Sequence, residues 1–201
     1  MAVPVDRRAA PPPLDLVEAF LNTVDLEQGK DAFETPARMQ QWLKARKLIG
    51  TSQPVMEAHQ KQLIRLREAL RRAAAANNDA VLDRRTLQEL NQLARRAQLI
   101  VAFDRDGRAG FEASSKGSDP GLAQILAAVG VSMLTGSWRR LKTCANDGCQ
   151  WAFYDASKNR SGRWCDMSDC GNDAKGRAFR ARQRLGRLQV SSDQPLAPVT
   201  R

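Results

Sequence analysis

The sequence predicts a mainly α protein: a helical N-terminal domain with one small β-hairpin, followed by a C-terminal hairpin-and-helix module. Three observations carry this. Apolar residues recur at three- and four-residue spacing through most of residues 14–97. The period then changes once to strand-like runs on either side of Asp106-Gly107. Finally, every cysteine falls after residue 143, among closely spaced basic residues.

The elements follow in order. Residues 1–13, rich in Pro and Ala, form an arm expected to be disordered. Leu14 to about Asp25 reads as a helix through Leu14, Val17, Leu21 and Val24. Thr35-Pro36 supplies an N-cap and a first-turn proline for a second helix to about Leu48, with Trp42 inside. A third and longer helix is expected from Ser52 to about Asn77. Met56, Leu63, Leu66 and Leu70 make its buried stripe, and Lys61, Arg65, Arg71 and Arg72 its solvent face. The fourth, from Arg84 to Ala97, is expected to bury Leu87, Leu90, Leu93 and Ala94. A β-branched and aromatic run, an Asp-Gly turn and a second short run then give the hairpin. Ser118, Asp119 and Pro120 open a fifth helix, "GLAQILAAVGVSMLTG", whose lack of charge predicts burial on several faces. Gly136-Ser137 marks a break. The expected organisation is an arm at 1–13, a helical domain at 14–137, a cysteine module at 138–187 and a loose tail at 188–201.

The net charge is +10, and its placement matters more than its size. Between Trp138 and Arg187 stand 12 Lys/Arg against five Asp, so one quarter of the chain holds most of the excess. Such concentration is the footprint of a polyanion binder. No window approaches the roughly 18 uninterrupted apolar residues of a membrane span. Pro and charge interrupt "MAVPVDRRAAPPP" where a signal peptide would be apolar. The expected compartment is therefore the cytoplasm, where thiols stay reduced.

The cysteines are Cys144, Cys149, Cys165 and Cys170, spaced C-x4-C, a hairpin-length insert, then C-x4-C. Two thiol pairs, each on one turn and brought together by a hairpin, suit one structural Zn²⁺ held by four thiolates. A module this small, with few aliphatic side chains, needs a metal or disulfides to fold. Two disulfides and an iron–sulfur cluster stay open as alternatives, the first disfavoured by compartment. No C-x-x-C occurs, which argues against a thioredoxin-like site.

Between the pairs, "WAFYD" alternates like a strand and "KNRSG" is a turn. After Cys170 the sequence reads as a helix on which Arg177, Arg180, Arg184 and Arg187 fall on one stripe. Lys175 and Arg182 lie off it, and Phe179 is the expected anchor. These arginines with Lys175, together with Arg160 and Arg163 at the hairpin tip, are the candidate nucleic-acid contacts. Duplex DNA is the first expected partner. Single-stranded RNA stacked on Trp151, Tyr154 or Trp164 is an alternative, as is an acidic protein docked on a module whose zinc is purely structural. Trp164, beside a ligand, is expected to be buried.

The pattern C-x4-C-x-W-x-F-Y-D-x-S-x-N-x-S-x-R-W-C-x-M-x-x-C-G-N resembles the CGNR-type zinc finger, a zinc-ribbon-like bacterial module. Upstream, "LDLVEAFLNTVD…TPARMQQWLKARKLI" is similar to the ABATE domain that precedes it. The resemblance implies a stress-associated transcription regulator whose finger binds nucleic acid. The helical domain would then take a small-molecule effector, dimerise or meet other proteins. The chain departs from the pattern at Asp173, where the family has Arg, and at Gly162, where it often has another Arg. Asp173 reads as a helix cap.

Nothing points to an enzyme. The single histidine, His59, sits within a helical pattern with no evident catalytic partner, and no phosphate-binding glycine loop occurs. Asp104 and Asp106 flank a turn. Asn22 and Thr23 could line a small pocket, but a hydrogen bond to neighbouring backbone is the favoured reading.

Overall fold

The computed structural model describes residues 9–114 and 119–192. The described chain falls into two compact units, within Met1–Cys165 and Asp166–Arg201.

The first unit is built of helices α1 (Leu14–Leu21), α2 (Pro36–Ala45), α3 (Glu57–Ala76), α4 (Arg84–Ala97) and α5 (Pro120–Leu134). Three two-stranded antiparallel hairpins join them: β1 (Val24–Asp25) with β2 (Lys30–Asp31), β3 (Leu99–Phe103) with β4 (Ala109–Ala113), and β5 (Leu141–Thr143) with β6 (Ala152–Tyr154). One core runs through all five helices and includes Leu14, Phe20, Leu43, Leu66, Leu93 and Ile125. Phe20, Phe33 and Trp42 form an aromatic corner with ring centroids 5.4–6.1 Å apart. Phe20 and Phe33 are fully buried, each worth about 1.5–3 kcal/mol, and Trp42 packs on them partly buried.

Local chemistry sets most boundaries. The Thr35 hydroxyl accepts from the Arg38 N–H, and Asp83 and Asp119 cap α4 and α5 in the same way. The α4 bounds agree with those expected. Its buried stripe is rotated, however: Thr86, Leu93 and Ala97 are buried, while Leu87 and Ala94 are exposed. The spacing 86, 90, 93, 97 keeps helical period as well as the expected set does, so periodicity alone could not choose between them.

Three helices are shorter than expected. α1 stops at Leu21 because Thr23 turns its hydroxyl back onto the Phe20 carbonyl and Val24 enters a hairpin. That hairpin, closed by Asp25 and by Gly29 at positive φ, was not foreseen. α2 ends at Ala45, and Lys47 beyond it adopts φ 56°. α3 begins at Glu57 rather than Ser52, since Pro54 biases the residue before it away from helix. Its first turn is closed by His59, whose Nδ1 accepts from the Met56 N–H at 3.4 Å. The Asp-Gly hairpin is present, organised by Asp104, whose carboxylate accepts from the Asp106 and Arg108 N–H groups. At Gly130, a Cβ would lie 3.6 Å from the Phe111 ring, so helix and hairpin pack closely there.

Of the arginines expected on the solvent face of α3, Arg71 is buried, as is its neighbour Arg67. Arg67 grips Asp31 through two bonds of 2.7 and 2.8 Å and also donates to the Thr23 hydroxyl. A buried guanidinium requires such partners.

Leu141 and Ala152, on the paired strands β5 and β6, belong to the same core as the helices, as does Trp138. The first half of the cysteine module therefore shares its hydrophobic interior with the helical domain. No described helix is long and apolar enough to cross a membrane. Of the expected terminal segments, residues 1–8 and 193–201 lie outside the described residues, and so does Ser118. Ala10 is buried, and its N–H donates to the Glu18 carboxylate.

The second unit is a π-helical turn (Met167–Gly171) leading directly into α6 (Asn172–Ser192).

Candidate metal centre

The first cysteine pair sits on a knuckle that follows β5. The Cys144 N–H donates to the Trp151 carbonyl at 2.9 Å, continuing the β5–β6 ladder by one rung. The chain then reverses: the Cys149 and Gln150 N–H groups both donate to the Asn146 carbonyl. Gln150 takes φ 48° to complete the reversal. The Ala145 N–H donates to the Arg163 carbonyl, which brings the returning segment, and with it Cys165, alongside the knuckle. Cys170 lies in the π-helical turn, where Asp166 accepts from the Ser168 N–H and hydroxyl, and the Gly171 N–H donates to the Asp166 carbonyl.

No disulfide joins the four cysteines, and their sulfurs lie within 4.8 Å of one another. Cys149 Sγ and Cys165 Sγ are 3.5 Å apart. Four sulfurs about 2.3 Å from one Zn²⁺ stand roughly 3.8 Å apart along each edge of the tetrahedron, so the donor set fits the ion. Hydrogen bonds among the sulfurs push the Cys149 thiol up while lowering that of Cys144. The clustered thiols of Cys144, Cys149, Cys165 and Cys170 fit one structural zinc ion, which these four residues would hold. Four protein ligands would leave no open position, so zinc there would supply folding energy and not a reactive site.

The insert between the pairs is organised by a buried ion pair. Lys142 Nζ lies 2.9 Å from the Asp155 carboxylate, and both side chains are under 5% exposed. Lys142 also donates to the Arg160 and Gly162 carbonyls, while Asp155 accepts from the Ser157 and Gly162 N–H groups. Burial alone would raise the Asp155 carboxyl. Hydrogen bonds from Ser157, Lys142 and Gly162 outweigh it and hold the group at about 2. Arg140 closes the loop by donating to the Asp155 and Ser157 carbonyls.

This explains Gly162. A Cβ there would lie 3.0 Å from the Asp155 carboxyl carbon, in space the carboxylate must occupy. Gly162→Ala is expected to lower stability by about 1–3 kcal/mol in chemical denaturation, as overpacking does.

Of the basic residues counted in this region, Arg140 and Lys142 are thus spent internally. Arg160 is exposed at φ 53°, and Arg163 is half-paired with Asp79 at 3.5 Å, its side chain 56% exposed. On α6, Lys175, Arg177, Arg180, Arg182 and Arg184 are all exposed. The side chain of Arg187 lies outside the described residues. Asp173 stands in the first turn of α6, 3.8 Å from Arg177 one turn on. A carboxylate there is favourable with the helix dipole. Phe179, the expected anchor, is 56% exposed. Trp164, expected to be buried, is half-buried, as are Trp151 and Tyr154, the last packed on the core.

The residues that sequence reasoning missed hold the module from the helical side. Asn22 clamps Ala152 in both directions, its amide donating to the Ala152 carbonyl (2.9 Å) and accepting from its N–H (2.8 Å). Arg71 donates to the Gln150 carbonyl at 2.8 Å and to that of Leu21. The Asn77 amide reaches the Trp138 and Leu141 carbonyls, and the Asn78 amide those of Thr143 and Arg163. Only Asn22 carries a sequence signal, in the "LNT" motif; Thr23 bonds neighbouring backbone as expected, whereas Asn22 bonds that of Ala152, 130 residues on.

Comparison with known families gives two matches. Residues 14–137 match the ABATE family, described as "Putative stress-induced transcription regulator", and residues 140–183 match the CGNR zinc finger. Comparison with curated proteins yields no match.

Proposed function

We propose, from the premise that this chain belongs to the ABATE family and carries a CGNR zinc finger, that it is a zinc-dependent, DNA-binding transcription regulator and not an enzyme. The observation that carries the reading is the run of exposed guanidiniums on the helix that starts directly after the last zinc ligand. Arg177, Arg180 and Arg184, with Lys175 beside them and Arg187 in sequence beyond, are cations at helical spacing with few carboxylates nearby. The charge of the zinc–thiolate group could account for one or two cations close to the metal, but not for a run of several turns. Phosphates of duplex DNA offer the matching periodic charge. Arg160 and Arg163, on the insert between the cysteine pairs, serve as further contacts. The helical domain serves as effector, dimerisation or interaction domain, and the protein works in the cytoplasm.

Half-burial of Trp151, Tyr154 and Trp164 restricts the stacking on which single-stranded RNA recognition depends. DNA is therefore the better partner.

The test is the salt dependence of duplex binding. Each phosphate contact adds about 0.9 to the slope of log affinity against log salt. The double variant Arg180→Ala, Arg184→Ala is expected to flatten that slope by roughly 1.8 while zinc content stays at one ion per chain. An unchanged slope would remove α6 from the interface. Binding to acidic protein but not to duplex DNA at physiological salt would replace the reading.

A further inference from the structure

Three polar side chains of the helical domain end on backbone within three residues of a zinc ligand. Arg71 donates to the carbonyl of Gln150, the residue after Cys149. Asn78 donates with one amide group to Thr143, the residue before Cys144, and to Arg163, two residues before Cys165. Asn22 fixes Ala152, opposite Thr143 on the paired strand, through two bonds. The knuckle's own bonds set its turn. These outside bonds set where the turn sits against the segment that leads to Cys165, and so how far apart the sulfurs of Cys144, Cys149 and Cys165 lie.

Alternative readings of the same groups are weaker. Arg71 is too buried to meet phosphate from solvent, and its guanidinium already serves the Gln150 and Leu21 carbonyls. Asn78 uses its amide group on two carbonyls that belong to different ligand-bearing segments, which simple capping of α3 would not require.

We infer that Asn22, Arg71 and Asn78 are positioning residues of the zinc site, so that zinc occupancy and the stability of α1 and α3 are one coupled equilibrium. The helical domain is pre-set to receive the ion, and the ion in turn tightens the helical domain. Linkage makes this reciprocal: whatever loosens α1 or α3 weakens zinc binding by the factor by which zinc loss loosens them. A regulator built this way reads withdrawal of its zinc as a change in its helical domain. The inference rests on the four-thiolate site described above.

The experiment uses the full chain and Zn²⁺ itself. Zinc affinity is measured by competition with a chromophoric chelator for wild type, Asn78→Ala, Asn22→Ala and Gln60→Ala. Gln60, on α3, donates to the Phe33 carbonyl, a bond that lies within the helical domain. It reports what a merely structural loss does. Asn78→Ala and Asn22→Ala are expected to weaken zinc by about 10–100-fold, as loss of supporting partners does at metal sites, with Gln60→Ala unchanged. In hydrogen exchange, chelation of wild type is expected to speed exchange of amides in α1 and of the last two turns of α3. Equal zinc affinity in all four proteins, or α1 and α3 amides indifferent to chelation, overturns the coupling while one bound ion per chain keeps the cage. A chain that binds no zinc overturns both, and metal content tells the two failures apart.

Discussion

Cys144→Ser is expected to abolish stoichiometric zinc binding and to lower the thermal midpoint of the chain by roughly 10 °C or more. A four-thiolate zinc site contributes folding free energy on the order of 10 kcal/mol in small modules. Even a third of that corresponds to such a shift, since 1 kcal/mol is worth about 2–4 °C in a chain of this size. A serine hydroxyl is a poor substitute for a thiolate because it stays protonated at neutral pH. Cys144 is also 3% exposed, so its replacement leaves a polar group where a metal bond belongs. Metal analysis and calorimetry on one preparation check both effects. Full zinc content with an unchanged midpoint would show that this sulfur is not a ligand.

The second large effect concerns the pair beneath the insert. Lys142→Met is expected to cost about 3–5 kcal/mol, because it leaves the Asp155 carboxylate buried without its cation. The double variant Lys142→Met, Asp155→Leu should recover much of that, since the unpaired charge goes as well. What it does not recover is the loop order that Asp155 gives through Ser157 and Gly162. Urea denaturation of the single and double variants measures the difference; equal losses would mean that the charge pair is not the source of the cost. The pH dependence has a definite sign. Asp155 is held below the usual carboxylate range, to about 2, so its contribution is complete above the unfolded carboxyl's pKa of about 4. It is lost as pH falls toward 2.

How much of this was legible in the sequence depends on how far apart the interacting residues lie. The Asp83 and Asp119 caps act on residues two or three positions away, and the Asp-Gly turn on a similar scale, so each could be read locally. The four cysteines were legible for another reason. Spacing within each pair makes a turn, although the strand after Cys149 pairs with Leu141–Thr143, ahead of the first pair, and not with the residues that lead to Cys165.

Arg71 failed for the opposite reason. On the helical wheel it lies among solvent-facing cations, yet it is buried and donates to the Gln150 carbonyl, 79 residues on. Arg67 likewise answers to Asp31, 36 residues back, across a hairpin of two-residue strands with little periodic signal. The charge count in the cysteine module was partly deceptive in the same way. Lys142 and Arg140 look like a basic patch in one dimension, yet they hold Asp155 and the loop carbonyls in three. What survives this subtraction is the cluster after Cys170, where Lys175, Arg177, Arg180 and Arg184 remain exposed.

The most direct measurement is duplex DNA binding by the native full chain before chelation, after it, and after zinc is restored, with metal content followed alongside. The account predicts one ion per chain, salt-dependent binding that disappears when the ion is removed, and recovery when it returns. Metal-stripped protein that binds duplex DNA with the same affinity and salt slope would contradict it.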